Sequence, residues 1–328
     1  MALLRRRKPE DYCEEALSRV QIKDYLGAVD TLNRALAIAP DYAMAHHLRG
    51  LSLSELGRHR QALAEFRQAI ALDPAMTYVQ YQIALQLNFL GENAEALEAT
   101  DLAATLVPGD TAPLILRGSI LFDLQRYDEA LAAFGGALER EPGSGPVRFN
   151  RAQILRRLGR YGEALTDYDE ALRLAPNLPG AREQKAIALL LAGYEDDALA
   201  IFAEIAATAR DAGAGDAAAG GAPAGTAAVW AAAIYWHRQN PNRARRLFEQ
   251  ALGTPMGTNR WESANMRAVV SCALGRTDAA ASRLRAATDL ADPAVRDILT
   301  RLYGLLAEPP MPGIDELRAI ALGSGAGL

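Results

Sequence analysis

Aromatic side chains make up only 6% of this 328-residue chain, although half of its residues are apolar, most of them alanine and leucine. That balance disfavours a sheet built from aromatic and β-branched strands and suits closely packed helices. There are two cysteines, Cys13 and Cys272, far apart and in no metal-type spacing, which excludes a disulfide framework and fits a reducing, cytoplasmic setting. Apolar runs stay well short of the roughly 18 residues of a membrane span, and Met1-Ala2-Leu3-Leu4 is too short for a signal-peptide core. Lysine is nearly absent: three residues, Lys8, Lys23 and Lys185, stand against thirty-two arginines, which with the abundant alanine points to a GC-rich bacterial genome. The net charge of -5 sets the overall field against nucleic acid, and the basic run Arg5-Arg6-Arg7-Lys8 reads as a solvated tail.

Catalytic motifs are missing as well. The chain has no Gly-Lys-Ser phosphate loop, no His-Glu-x-x-His, no Cys-x-x-Cys and no Ser-x-x-Lys. Of four histidines, His46 and His47 are neighbours on one helix and point about 100 degrees apart, and His59 and His237 are isolated, so no metal site is expected. Gly213-Ala214-Gly215-Asp216-Ala217-Ala218 matches a dinucleotide fingerprint in letters only, because the strand before it and the helix after it are absent. No cofactor is expected, and the chain reads as a non-enzyme.

What the sequence does hold is a beat. Pro40, Pro74, Pro108, Pro142 and Pro176 recur at an unbroken spacing of 34 residues, a period that indicates a solenoid. With the proline set at position 32, units begin at Pro9, Ala43, Thr77, Thr111, Gly145 and Pro179. Position 20 is then Ala28, Ala62, Ala96, Ala130, Ala164 and Ala198, and position 8 is always small: Ala16, Gly50, Ala84, Gly118, Ala152 and Ala186. Position 24 is mostly large, as in Phe66, Phe134, Tyr168 and Phe202.

Within positions 1 to 14 and 18 to 31 the apolar residues return at three- and four-residue intervals, which predicts two helices per unit. Glycine at position 15 (Gly57, Gly91, Gly159, Gly193) suits the left-handed residue that ends the first helix, and the proline stops the second. Lys23 and Gln125 occupy that turn in units one and four, so it must there accept a side chain.

This skeleton resembles the tetratricopeptide repeat family, with small at 8, alanine at 20, an aromatic at 24, alanine at 27 and proline at 32; Asn150 to Pro176 is among the closest matches. The resemblance implies an all-α, right-handed superhelical solenoid of antiparallel helix pairs. It covers about residues 9 to 207 strongly and 227 to 294 more loosely. At position 4 the family's frequent tryptophan is replaced by Tyr12, His46, Gln80, Leu114, Arg148 and Arg182.

The domain reading is a basic tail over 1–8, six repeats over 9–207, an Ala/Gly-rich flexible linker over 208–226, two degenerate repeats over 227–294, and a capping helix and tail over 295–328. In the degenerate part Ala244, Phe248 and Ala251, then Gly275, Ala280, Leu284 and Ala287, reproduce the pattern, with Pro293 one residue late. The seventh repeat's first helix is expected near Trp230 to His237, shortened by about two residues. Val295 to Leu306 is expected to close the apolar face of the last unit, and a short helix around Asp315 to Leu322 to end the chain.

By the family resemblance, positions 2, 5, 9 and 12, with 13 at the margin, face a concave groove. In units three to five these are Tyr78, Tyr81, Leu85, Asn88 and Phe89, then Ile115, Ser119 and Phe122, then Phe149, Gln153, Arg156 and Arg157, with Asn150 at the border. Aromatic anchors beside arginine are the residues that dominate binding interfaces. The family's carboxylate clamp, which holds the acidic C-terminus of chaperones, is matched at one of five positions, Asn150, so that ligand class is disfavoured. The expected function is a non-catalytic scaffold that holds a partner peptide or helix, without nucleic acid or membrane insertion. The alternatives are a ligand-gated regulator hinged at the linker and an accessory subunit of an enzyme complex.

Overall fold

The computed structural model describes residues 7–211, 224–252, 260–276, 280–281, 284, 296–308 and 310–322. Of the features expected from sequence, Arg5 and Arg6, Ala287 and Pro293 lie outside these residues. Among the described residues there are helices and turns and no strand.

Two compact units divide the chain, residues 1–142 and 143–328. The first contains α1 (Pro9–Gln21), α2 (Tyr25–Ile38), α3 (Ala43–Glu55), α4 (His59–Leu72), α5 (Val79–Phe89), α6 (Asn93–Leu106), α7 (Ala112–Asp123) and α8 (Tyr127–Arg140). The second contains α9 (Gly145–Arg157), α10 (Tyr161–Leu174), α11 (Ala181–Leu191), α12 (Glu195–Asp211), α13 (Ala224–His237), α14 (Pro241–Leu252), α15 (Arg260–Ala273), α16 (Arg296–Ala307) and α17 (Ile314–Leu322). Within each unit a first helix packs on its own second helix, and that second helix packs on the next first helix. This is the nearest-neighbour stacking of an α-helical solenoid.

The ends of the helices follow from single residues. Gly57, Gly91, Gly159 and Gly193 have φ of +70° to +90°, and Lys23 and Gln125 take up the same conformation at +60° and +58°. In each turn the next backbone N–H donates back across it, as from Arg58 to the Leu53 carbonyl and from Arg126 to Leu121, both at 2.8–2.9 Å. That is the bond that seals a helix C-terminus through a left-handed residue. The second helices stop two residues before each proline. Ala39, Asp73, Val107, Glu141 and Ala175 are extended at φ near -130° and ψ of 75° to 91°, because a following proline ring excludes the helical region.

Alanine at position 20 is buried to 0% exposure in all six repeats, so the two helices of each pair approach closely at that point. Glycine at position 8 accommodates the ring at position 24. A β-carbon on Gly118 would stand 2.8 Å from Phe134 Cζ, and one on Gly50 2.7 Å from Phe66 Cε1. Gly118→Ala is therefore expected to destabilise the first unit by about 1–2 kcal/mol through overpacking. Chemical denaturation of Gly118→Ala with and without Phe134→Leu tests this: the smaller partner should restore part of the loss, and an unchanged midpoint in the single variant would refute it.

The second unit departs from a plain stack. In α13 every side chain from Ala227 to Ile234 is buried, as expected of a helix apolar on all sides. It packs between α12 and α14 and also meets α15 and α16. The helix is longer than the expected Trp230–His237, because Thr226, Ala227, Ala228 and Val229 are small enough to be buried within the bundle. Helix thus reaches both ends of the stretch read as a linker, through Asp211 and from Ala224; residues 212–223 lie outside the described ones.

Candidate functional site

In the first unit the first helices α5 and α7 carry the nominated stripe. Tyr78 is 46% exposed, and Tyr81, Leu85, Asn88, Ile115, Ser119 and Phe122 are half-buried. Burial raises the pKa of both tyrosines, so their phenols are neutral hydrogen-bonding groups. Phe89 is 57% exposed, yet it belongs to the turn edge. Its ring stacks on His59 at 4.5 Å and 16°, His59 Nδ1 lies 2.9 Å from Gln86 Oε1, and Gln86 Nε2 donates to Ser54 Oγ at 3.0 Å. That network fixes Phe89 against the start of α4.

The stripe extends further toward the N-terminus than the residues expected from sequence. The same register positions in units one and two include Leu17, Met44, His47 and Leu51, of which Leu17 and Met44 are exposed. His47 meets Tyr78 edge-on at 5.2 Å and leans on Phe66 at 6.0 Å, and burial lowers its pKa, which favours the neutral ring. The signal was available: it needed only the numbering applied to the first two repeats.

In the second unit Phe149, Asn150, Gln153 and Arg157 are half-buried, whereas Arg156 is only 6% exposed. Arg156 lies with the ring at position 24: burial raises the Tyr168 pKa, and Arg156 and Arg157 oppose that rise. Phe149 packs at 5.9 Å from Tyr168. So of the two arginines nominated for a ligand, Arg156 is largely an internal residue.

A second pattern explains the missing tryptophan at position 4. In repeat five Arg148 and Arg151, at positions 4 and 7, converge on Asp167 at position 23. Arg151 donates at 2.6 and 2.7 Å and Arg148 at 3.5 Å. In repeat two His46 Nδ1 lies 2.8 Å from Glu65 and its Nε2 2.9 Å from the Pro40 carbonyl, while Arg49 donates to Glu65 at 2.7 and 2.8 Å. A carboxylate with two partners thus fills the space that a large apolar ring would take. Repeat three has Gln80, Ile83 and Ala99 at these positions, and there a crevice of about 330 Å³ opens, also lined by Arg67, Ile70, Leu87, Glu95, Glu98 and Leu102. Ala99 is too small to fill the space that Glu65 and Asp167 fill elsewhere.

Charge also distinguishes repeat three. Helix α5 has no charged residue, and α6 has only acidic ones. Its carboxylates are met from both sides, by Arg67 of α4 on Glu95 at 3.0 Å and by Arg117 of α7 on Asp101 at 2.7 Å.

Among the described residues no group of three or more His, Cys, Asp or Glu is placed to hold a metal ion. Cys13 and Cys272 are buried, and burial pushes both thiols up to about 11. No described helix is long and apolar enough to cross a membrane.

Comparison with known proteins agrees with this geometry. Tetratricopeptide repeat family models match residues 43–75 and 115–179, and no curated protein matches the chain in sequence. Among solved structures, a tetratricopeptide repeat protein from Parabacteroides merdae superposes with a TM-score of 0.57 at 20% identity, over 80% of this chain and 98% of that one. PilF of Pseudomonas aeruginosa gives 0.52 at 20% identity, over 62% and 92%. Proline-punctuated helix pairs, the alanine seams and these matches lead to one conclusion: the chain carries tetratricopeptide repeats.

Proposed function

We propose that this protein is a non-catalytic interaction scaffold whose first unit holds a segment of a partner protein along the first helices of repeats one to four. The observation that carries this reading is the stripe Leu17, Met44, Tyr78, Tyr81, Leu85 and Phe122, which stays exposed or half-buried at the register positions that the family turns toward its groove. Each fully covered anchor of this kind contributes roughly 1.5–3 kcal/mol, so a few of them, less the cost of ordering the ligand, give roughly micromolar affinity. The stripe is poor in charge, which suits an apolar or aromatic peptide better than a phosphate backbone. The acidic net charge supports the same choice, and two isolated, buried cysteines suit a reducing cytoplasm.

The test compares wild-type protein with a Tyr78→Ala, Tyr81→Ala double variant in quantitative pull-downs from the source cells, followed by titration of the recovered partner. Affinity should fall at least tenfold while circular dichroism and the denaturation midpoint stay close to wild type. Equal recovery and equal affinity in the two proteins would sink the proposal.

A further inference from the structure

Repeats six to eight have no free groove. With the turn residues Gln239 and Gly275 set at position 15, positions 5, 9 and 12 are Glu183, Ile187 and Leu190 in repeat six. They are Val229, Ala233 and Trp236 in repeat seven, and Asn265, Val269 and Cys272 in repeat eight. All of these are buried except Trp236, which is half-buried, whereas the equivalent residues of repeats three and four are half-exposed. The cover is the chain itself. Helix α16, expected to close the apolar face of the last unit, packs on the first helices α13 and α11, and α17 packs on α15 and on α16. Ile298, Leu299, Leu302, Tyr303, Leu305 and Leu306 of α16 are buried. Tyr303 Oη donates to Oδ1 of Asn265, a groove-facing position 5, at 3.0 Å. Arg301 reaches Glu195 at 2.6 Å, and His237 Nδ1 lies 3.1 Å from the Glu308 carbonyl.

We propose that the groove of repeats six to eight is a binding site for an amphipathic helix of a partner protein, and that α16 is its resident occupant, held in competition with that helix. The resident defines the ligand: aliphatic residues at i, i+3 and i+7 with a phenol at i+4, as in Leu299, Leu302, Leu306 and Tyr303, and a cation on the flank, as in Arg301. A ligand lacking the phenol leaves buried Asn265 without that donor. Helix α16 is also weaker than its burial demands. Gly304 sits in its middle, exposed, and a β-carbon there would meet nothing within 4 Å, so packing does not require the glycine while the helix loses stability by it. The protein thus has a second, occluded site in its second unit.

The experiment uses the full chain and a fluorescein-labelled peptide of residues 296–307. Anisotropy titrations are run on wild type, Gly304→Ala and Arg301→Glu, with hydrogen exchange followed across α13 and α16. Gly304→Ala strengthens the resident helix and should weaken peptide binding about fivefold. Arg301→Glu should strengthen it a few-fold, and adding Glu195→Arg should reverse that gain. Saturating peptide should speed exchange in residues 298–306 while leaving α13 protected, and Tyr303→Phe in the peptide should weaken it about tenfold. Absence of peptide binding to all of these chains, with α16 exchanging only together with α13, would overturn the proposal and make α16 an inseparable part of the fold. Should Arg301→Glu fail to fold, the contrast between wild type and Gly304→Ala decides.

Discussion

Asp167→Ala should lower the stability of the second unit by about 3 kcal/mol or more, among the largest single effects in the chain. Its carboxylate is 3% exposed and takes bonds from Arg151 and Arg148, whose side chains are 30% and 22% exposed. Removing it leaves two partly desolvated guanidinium groups facing each other across a new void, and an uncompensated buried charge is costlier than the pair was favourable. The arginines' remaining exposure lets them turn toward water, which places the expectation at the lower end of the usual 3–5 kcal/mol. All three tryptophans, Trp230, Trp236 and Trp261, lie in the second unit, so urea unfolding followed by tryptophan fluorescence reports this unit selectively. A loss below about 1 kcal/mol would mean that the triad does not replace the packing of the missing ring.

Trp230→Ala is the second large effect, about 3–5 kcal/mol. The indole is 1% exposed in the helix buried on all sides, and it stacks on Phe202 at 5.9 Å and 12°. Its N–H meets no acceptor among the described residues, so Trp230→Phe gives up volume but no hydrogen bond and should lose only a fraction of that stability. Thermal and urea unfolding followed by circular dichroism separates the two variants. Equal losses would show that the site answers to something other than the volume it encloses.

Both effects depend on features that the sequence disclosed unequally. The six regular helix pairs were legible, because each boundary is enforced locally: the residue before Pro74 must be extended, and the residue at the turn must be left-handed. Lys23 and Gln125 show that this turn is geometric before it is compositional, since both adopt φ near +60° without being glycine. The path of α16 was not legible. Leu299, Leu302 and Leu306 would present the same apolar stripe to the end of a stack as to its groove, and partners in other helices, Asn265 for Tyr303 and Glu195 for Arg301, distinguish the two. For the site, the numbering found Tyr78 and Tyr81. It could not foresee that Arg156 is drawn inward beside Tyr168 or that Phe89 is held by His59, because each depends on a partner in another helix whose distance no periodicity encodes.

The charge arrangement of repeat three bears on how such a chain can change over time. Residues 77 to 110 carry five acidic side chains and no basic one, while the arginines that answer them belong to the repeats on either side. The units are therefore interchangeable in shape but not in sign. Duplicating repeat three would bring two acidic faces together, and excising it would leave Arg67 and Arg117 without the carboxylates they meet. The 34-residue unit that invites copying and loss is thus held at its place in the series by its neighbours, and the order of the repeats is itself an inherited trait.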